Sequence, residues 1–255
     1  MLKVGLQLYT VREEMEADFE GTLKRVAELG YQGVEFHTFF GRSSEEVQKL
    51  LTENGLVALG THISYDRMLT TLDEEIVYNR EIGNKNLIIP YLGEEQRNWS
   101  EVFNNLKQIG AKCREQGAVL LYHNHEFELT ESYGEHAVFD AMYAEVPADQ
   151  LQVEMDTCWV YYGGYDPVAY IAKYAGRLPI IHLKDMKTLP DGTAKTVELG
   201  KGEVKLEAIS NAANEAGVEW IVVEQDYCEN PPLESIATSM EWIKNYAKNG
   251  GSVHV

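Results

Sequence analysis

The chain has 255 residues, 44% hydrophobic and 25% charged, values of a soluble globular protein with a substantial core and not of a disordered chain. With 41 acidic against 22 basic residues the formal net charge is −19, which argues against nucleic acid or an acidic membrane surface and for a small neutral or weakly charged ligand. Three cysteines, Cys113, Cys158 and Cys228, form no paired motif and leave an odd count, so the expectation is a reduced, cytoplasmic protein without a disulfide framework.

The opening Met1-Leu-Lys-Val-Gly-Leu6 runs straight into a strand rather than a leader. No apolar run approaches the roughly 20 residues that cross a bilayer. Apolar runs bounded by turn residues predict strands over 3–9, 33–37, 57–63, 86–92, 118–123, 151–156, 179–184 and 220–225. Helical patterns lie between them. Phe19 to Gly30 repeats apolar residues three and four apart and ends in glycine, and Trp99 to Gly117 carries Val102, Leu106, Ile109 and Cys113 on one stripe. Strand ends fall near Gln7, Glu35, His62, Pro90, His123, Asp156, His182 and Glu224, which makes eight βα units. Eight such units predict an α/β chain folded as one (β/α)8 TIM barrel domain over residues 1–255 rather than an open doubly wound sheet. No GxGxxG follows the first strand. The long segment after the seventh strand, 186–202, reads as an active-site loop, and 249–255 as a loose tail.

In a closed parallel barrel, polar residues at the C-terminal strand ends converge on one cup. Glu128, Asp156, His182 and Glu224 stand at or just past the ends of strands five to eight, where an isolated charge is expensive unless it is paired or bound to metal. Carboxylates and imidazole without thiolate suit one divalent ion, Mn²⁺ first, then Co²⁺, Zn²⁺, Fe²⁺ or Mg²⁺. Taken singly, each is equally a helix cap or a salt-bridge partner. The segment Tyr122-His-Asn-His-Glu-Phe-Glu128 packs two histidines and two acids together. His123 and His125, two apart, read as donors to substrate hydroxyls or as satisfied structural imidazoles. His62 reads the same way, and Glu35 as a hydroxyl ligand or a tie between the first two strands. Lys184 returns by alternation to the face of His182, as a cation for a substrate oxygen or a developing enolate, or as a salt bridge to Asp185 or Asp226. Lys184, Lys187, Lys195 and Lys201 around the strand-seven loop are a candidate contact for a phosphate.

Several segments together carry a family resemblance: Gly5-Leu-Gln-Leu-Tyr-Thr-Val-Arg12, Gly33-Val-Glu-Phe36, Tyr122 to Glu128, Met155-Asp-Thr157, Tyr162-Gly-Gly-Tyr-Asp-Pro167, Ile181-His-Leu-Lys-Asp185, Leu199-Gly-Lys-Gly202 and Val223-Glu-Gln-Asp226. Over essentially its whole length the chain resembles the sugar phosphate isomerase/epimerase-like group of xylose isomerase-like TIM barrels, which includes tagatose 3-epimerase, hydroxypyruvate isomerase and inosose dehydratase. The resemblance implies one divalent ion held by a glutamate, an aspartate, a histidine and a glutamate from strands five to eight. Asp156, His182 and Glu224 match in position. Strand five ends in His123, so the resemblance draws its glutamate from the loop as Glu128, with Glu126 or Glu131 as substitutes.

The implied reaction is proton abstraction beside the carbonyl of a ketose or related keto-sugar through an enediolate, with Glu128 and Glu224 as acid and base, in a metal-dependent sugar isomerase or epimerase. His123 in the glutamate's place keeps open a lyase or dehydratase, of inosose dehydratase type or acting by β-elimination on a 3-keto-glycoside, with His123, His125 or Lys184 assisting. The alternative from another class is a non-catalytic sugar- or metal-binding subunit. The expected partner is a small sugar or keto-sugar, with a homo-oligomer as a habit of related barrels. Nucleases of the same superfamily are disfavoured by the −19 charge and too few histidines.

Overall fold

A computed structural model describes residues 1–254 of the chain. Eight parallel strands close on one another: β1 (Lys3–Gln7), β2 (Gly33–Phe36), β3 (Val57–His62), β4 (Asn86–Ile89), β5 (Val119–His123), β6 (Gln152–Asp156), β7 (Ile180–Leu183) and β8 (Trp220–Val223). Each pairs with the next, and β8 returns to β1 through Lys3 opposite Trp220 and Leu6 opposite Val223. This is the barrel that the eight sequence repeats predict, with helices in the crossovers.

The helices form where local chemistry starts and stops them. Helix Phe19–Leu29 is capped by the Asp18 carboxylate accepting from Gly21 N, buries Phe19, Leu23 and Val26, and stops at Gly30 in the left-handed region. Helix Ser44–Asn54 opens on a capping box between Ser43 and Glu46 and stops at Gly55, φ +64°. Along helix Trp99–Glu115 the buried stripe includes Gly110, where a side chain would run into the Gln150 carbonyl.

Inside the barrel the strands divide into two zones. Leu59, Ile88, Leu121, Ile180, Trp220 and Val222 form an apolar plug separate from the larger core between barrel and helices. Gly5 and Gly33 leave room for it, since a side chain at either would press on Leu59. A register shift between β2 and β3, with Val34 opposite Ala58 but Glu35 opposite Gly60, places both Leu59 and His62 inward despite their odd spacing. Two residues past the plug, the same faces turn polar.

Two expectations change. The segment after β7, read from sequence as an active-site loop, carries regular structure: Asp185–Thr188 and Ala194–Val197 form an antiparallel hairpin. Its return is fixed by the Asp185 carboxylate, which accepts from the backbone N–H groups of Met186, Gly200, Gly202 and Val204. The tail read as loose over 249–255 is held as far as His254, the last described residue, because Leu2 N donates to Ser252 O, His254 N donates to Leu2 O, and Val253 is buried. Its backbone extends the hydrogen bonding of the first strand, which no local pattern announces.

Candidate metal centre

Just above the plug lies a layer of buried carboxylates and imidazoles. Glu35 Oε1 accepts from Gln7 Nε2 at 2.6 Å and lies 2.8 Å from His62 Nε2 and 2.9 Å from His182 Nε2. Glu154 Oε2 lies 3.0 Å from His62 Nε2, 3.1 Å from His123 Nδ1 and 3.4 Å from His182 Nε2. Burial alone would raise Glu35, but His62 and His182 outweigh it and hold that carboxyl well below its usual range. Glu154 goes the other way, pushed up by burial and by Glu35 to about 8.

A second layer sits nearer the C-terminal mouth. Asp156 caps helix Thr157–Tyr162, its Oδ1 accepting from Cys158 N at 2.9 Å and Trp159 N at 3.1 Å, and this turns Oδ2 inward. His182 Nδ1 lies 2.8 Å from Glu224 Oε2, and His123 Nε2 lies 3.8 Å from Asp156 Oδ2. The fully buried Lys184 ammonium stands 3.0 Å from Asp156 Oδ2, 3.0 Å from Glu224 Oε2 and 2.9 Å from Asp226 Oδ2. Burial opposes its charge, and Asp156, Asp226 and Glu224 more than compensate, so Lys184 stays protonated. Glu224, which burial would raise, is held well below the carboxylate range by Lys184 and His182.

His123, Asp156, His182 and Glu224 each offer a donor atom within 4.8 Å of the others. Two imidazoles and two carboxylates without thiolate fit a divalent metal ion. Asp156 Oδ2 is also available: it lies close to Lys184 Nζ but makes no aligned hydrogen bond.

Glu128 is not brought to this cluster. Its carboxylate accepts from Tyr122 Oη at 2.6 Å and from His125 N at 2.8 Å. Tyr122 alternates with His123 and faces the outer core, and the short helix Phe127–Thr130 folds Glu128 back against it. Burial lifts Glu128 to about 8 against the opposing pull of those hydrogen bonds. Glu131 is likewise engaged elsewhere, by Arg97 and Trp99. The ligand set that geometry offers therefore has His123 where the sequence reading has Glu128.

A cavity of about 500 Å³ opens above the cluster, with Tyr9, His37, Tyr91 and His125 on its wall beside Glu224 and Asp226. His62 and His123 reach its floor, whereas Glu35 stays beneath in the deep layer. His125 is sandwiched between Trp159 and Phe127, and its Nδ1 and that of His37 have no partner. Burial, aided by Lys184, lowers His125 to about 3, and burial with His62 lowers His37 to about 4, so both are neutral imidazoles. Lys187 and Lys201 are exposed away from the cavity, and Lys195 pairs with Glu229.

A family model described as Xylose isomerase-like TIM barrel matches residues 23–246. The chain belongs to that family. Among curated relatives, inosose dehydratase from Geobacillus kaustophilus is 26% identical over 193 residues, which span 65% of this chain and 61% of that relative. A sugar phosphate isomerase/epimerase from Parabacteroides distasonis superposes with a TM-score of 0.82 at 18% identity, covering 96% of this chain and 98% of that one. The IOLI protein, solved with a zinc atom, superposes with a TM-score of 0.76 at 15% identity over 98% of this chain and 100% of that one.

Within this xylose isomerase-like barrel, sequence reasoning overlooked Glu154, His37 and Trp159. Glu154 was within reach, since it stands two residues before Asp156 and must share its face. His37 and Trp159 lie beyond strand ends, where no periodicity orients a side chain. Among the described residues no helix is long and apolar enough to cross a membrane.

Proposed function

We propose that this protein removes a proton beside the carbonyl of a neutral keto-sugar or inosose and then expels a β-oxygen substituent from the same face, as a metal-dependent dehydratase or lyase. The observation that carries this reading is that Glu224 and Asp226, neighbours past the end of β8, are the carboxylates lining the cavity. Epimerisation between Glu128 and Glu224 needs a proton donor on each face of the substrate. Glu128 bonds Tyr122 instead. One carboxylate suffices for elimination. Glu224 takes the proton from carbon, and as the C–O bond breaks it returns that proton to the departing oxygen, releasing water or an alcohol.

His123, Asp156, His182 and Glu224 would hold the metal ion, which supplies Lewis-acid polarisation of the carbonyl. Two imidazoles favour Zn²⁺, Co²⁺, Mn²⁺ or Fe²⁺ over Mg²⁺, and the zinc atom of the IOLI protein supports that choice. Lys184, 3.0 Å from Glu224, keeps that carboxylate ionised and stabilises negative charge as the enolate develops. His37 and His125 bind substrate hydroxyls as neutral imidazoles, and Tyr9 and Tyr91 offer aromatic faces to a sugar ring. No lysine or arginine lines the cavity among the described residues, so an unphosphorylated substrate fits better. The name of the Geobacillus relative supports dehydration.

The test is turnover in D₂O by zinc-, manganese- or cobalt-loaded protein with inososes, 3-keto-glycosides and ketoses. Loss of water or aglycone, abolished by chelation and restored by the metal, is expected. Recovery of a deuterated epimer or isomer without elimination would overturn the lyase reading. Ligand binding without turnover at full metal occupancy would favour the non-catalytic role.

A further inference from the structure

Glu154 and Asp156 enter the barrel from one strand, Glu154 a layer deeper. A single oxygen of Glu154, Oε2, meets three imidazole nitrogens: His62 Nε2 at 3.0 Å, His123 Nδ1 at 3.1 Å and His182 Nε2 at 3.4 Å. Glu154 and His182 are fully buried and His123 nearly so, while His62 reaches the cavity. Glu154 Oε1 has no partner and is free to carry the carboxyl's own proton, so Oε2 serves as the acceptor, and its hydrogen bonds with His62 Nε2 and His123 Nδ1 require the proton on those ring nitrogens.

We propose that Glu154 is a positioning residue of the candidate metal centre, setting the tautomer of His123. By accepting from His123 Nδ1–H it leaves His123 Nε2 turned toward Asp156, while Glu35 accepts from His182 Nε2–H and leaves His182 Nδ1 toward Glu224. The two rings thus carry opposite tautomers. No intrinsic preference shared by two imidazoles gives that result, whereas a separate buried acceptor beside each ring does. Glu35 supports the arrangement by taking a share of His62 Nε2–H and His182 Nε2–H, itself anchored by Gln7.

The deep group of His62, His123, Glu154 and His182 also has metal-compatible spacing. It does not serve as a second ion site beside the first. Filling both would use both nitrogens of His123 and of His182, stripping each ring of its last proton. The deep layer is support for one ion.

This inference rests on the metal reading above, and the experiment separates the two. Histidine-¹⁵N protein is titrated with Zn²⁺ alone and its ring nitrogens are read by long-range ¹H–¹⁵N correlation. His123 is expected protonated at Nδ1 with and without zinc, and zinc-loaded His182 at Nε2. A wild-type His123 protonated at Nε2 and bare at Nδ1 overturns the role of Glu154. Failure of zinc to perturb either ring overturns the metal reading, while the His123 tautomer still decides the positioning role. Glu154→Gln, which presents an amide where the acceptor stood, is expected to release the His123 tautomer. It should also weaken Zn²⁺ and Co²⁺ binding roughly 10- to 100-fold and alter the Co²⁺ absorption spectrum. Unchanged affinity and spectrum in a folded Glu154→Gln protein would also overturn the proposal. If that variant does not fold, the wild-type tautomer measurement decides alone.

Discussion

The two halves of the barrel interior are built from the same strands and do opposite work. Leu121 and Ile180 belong to the plug, and His123 and His182 stand two residues further along β5 and β7. Likewise Val222 packs in the plug while Glu224 follows it past the end of β8. The lower half gains stability from close-packed hydrocarbon. The upper half gathers Glu35, Glu154, Asp156 and Glu224 around one buried ammonium and three imidazoles, an arrangement that is costly without the pairing each charge receives. Changing one half should therefore alter stability and changing the other chemistry, and Lys184 belongs to both accounts.

Glu224→Gln gives the largest expected effect, a loss of about 10²- to 10⁴-fold in turnover with the fold retained, read from steady-state rates and circular dichroism. Retained turnover would remove Glu224 from the proton steps. Lys184→Met leaves the carboxylates of Asp156, Glu224 and Asp226 uncompensated. Metal-free variant should lose about 3–5 kcal/mol in denaturant unfolding, and added Zn²⁺ should recover part of it. Full stability in that variant would show that the ammonium does not balance the layer. Leu121→Ala opens the plug and should cost about 2–5 kcal/mol, with metal content and turnover per folded molecule unchanged.

Glu128→Gln is the smallest perturbation and the sharpest on the ligand set. The folded carboxyl titrates at about 8, above its unfolded value. Its favourable contribution is complete below the unfolded value and is lost as pH rises through about 8, because the folded chain must then bury a charge. The melting temperature of Glu128→Gln relative to wild type should therefore climb between mildly acidic and alkaline pH, while turnover holds. A collapse of turnover like that of Glu224→Gln would return Glu128 to the centre.

What could be read ahead of the structure followed strand geometry. A period of two along β6, β7 and past β8 places Asp156, His182, Lys184 and Glu224 on inward faces, and the eight repeats imply the closure that joins them. Glu154 falls under the same rule, two residues before Asp156 and on the same face of β6. Glu128 obeys no such rule, since it lies five residues past His123 in a short helix whose direction is set by Tyr122 Oη and His125 N.

The sequence by itself determined the barrel, the inward face of each strand and the chemical types that line it, because these depend on residue alternation and on apolar runs a few residues long. Only the tertiary structure decided which partners meet. Glu35 and His182 are 147 residues apart in the chain and 2.9 Å apart in space, and Leu59 faces the plug only because β2 and β3 shift register. The metal-compatible quartet took His123 and left Glu128 outside for the same reason: convergence across a closed sheet and the course of a loop are properties of the whole packed chain.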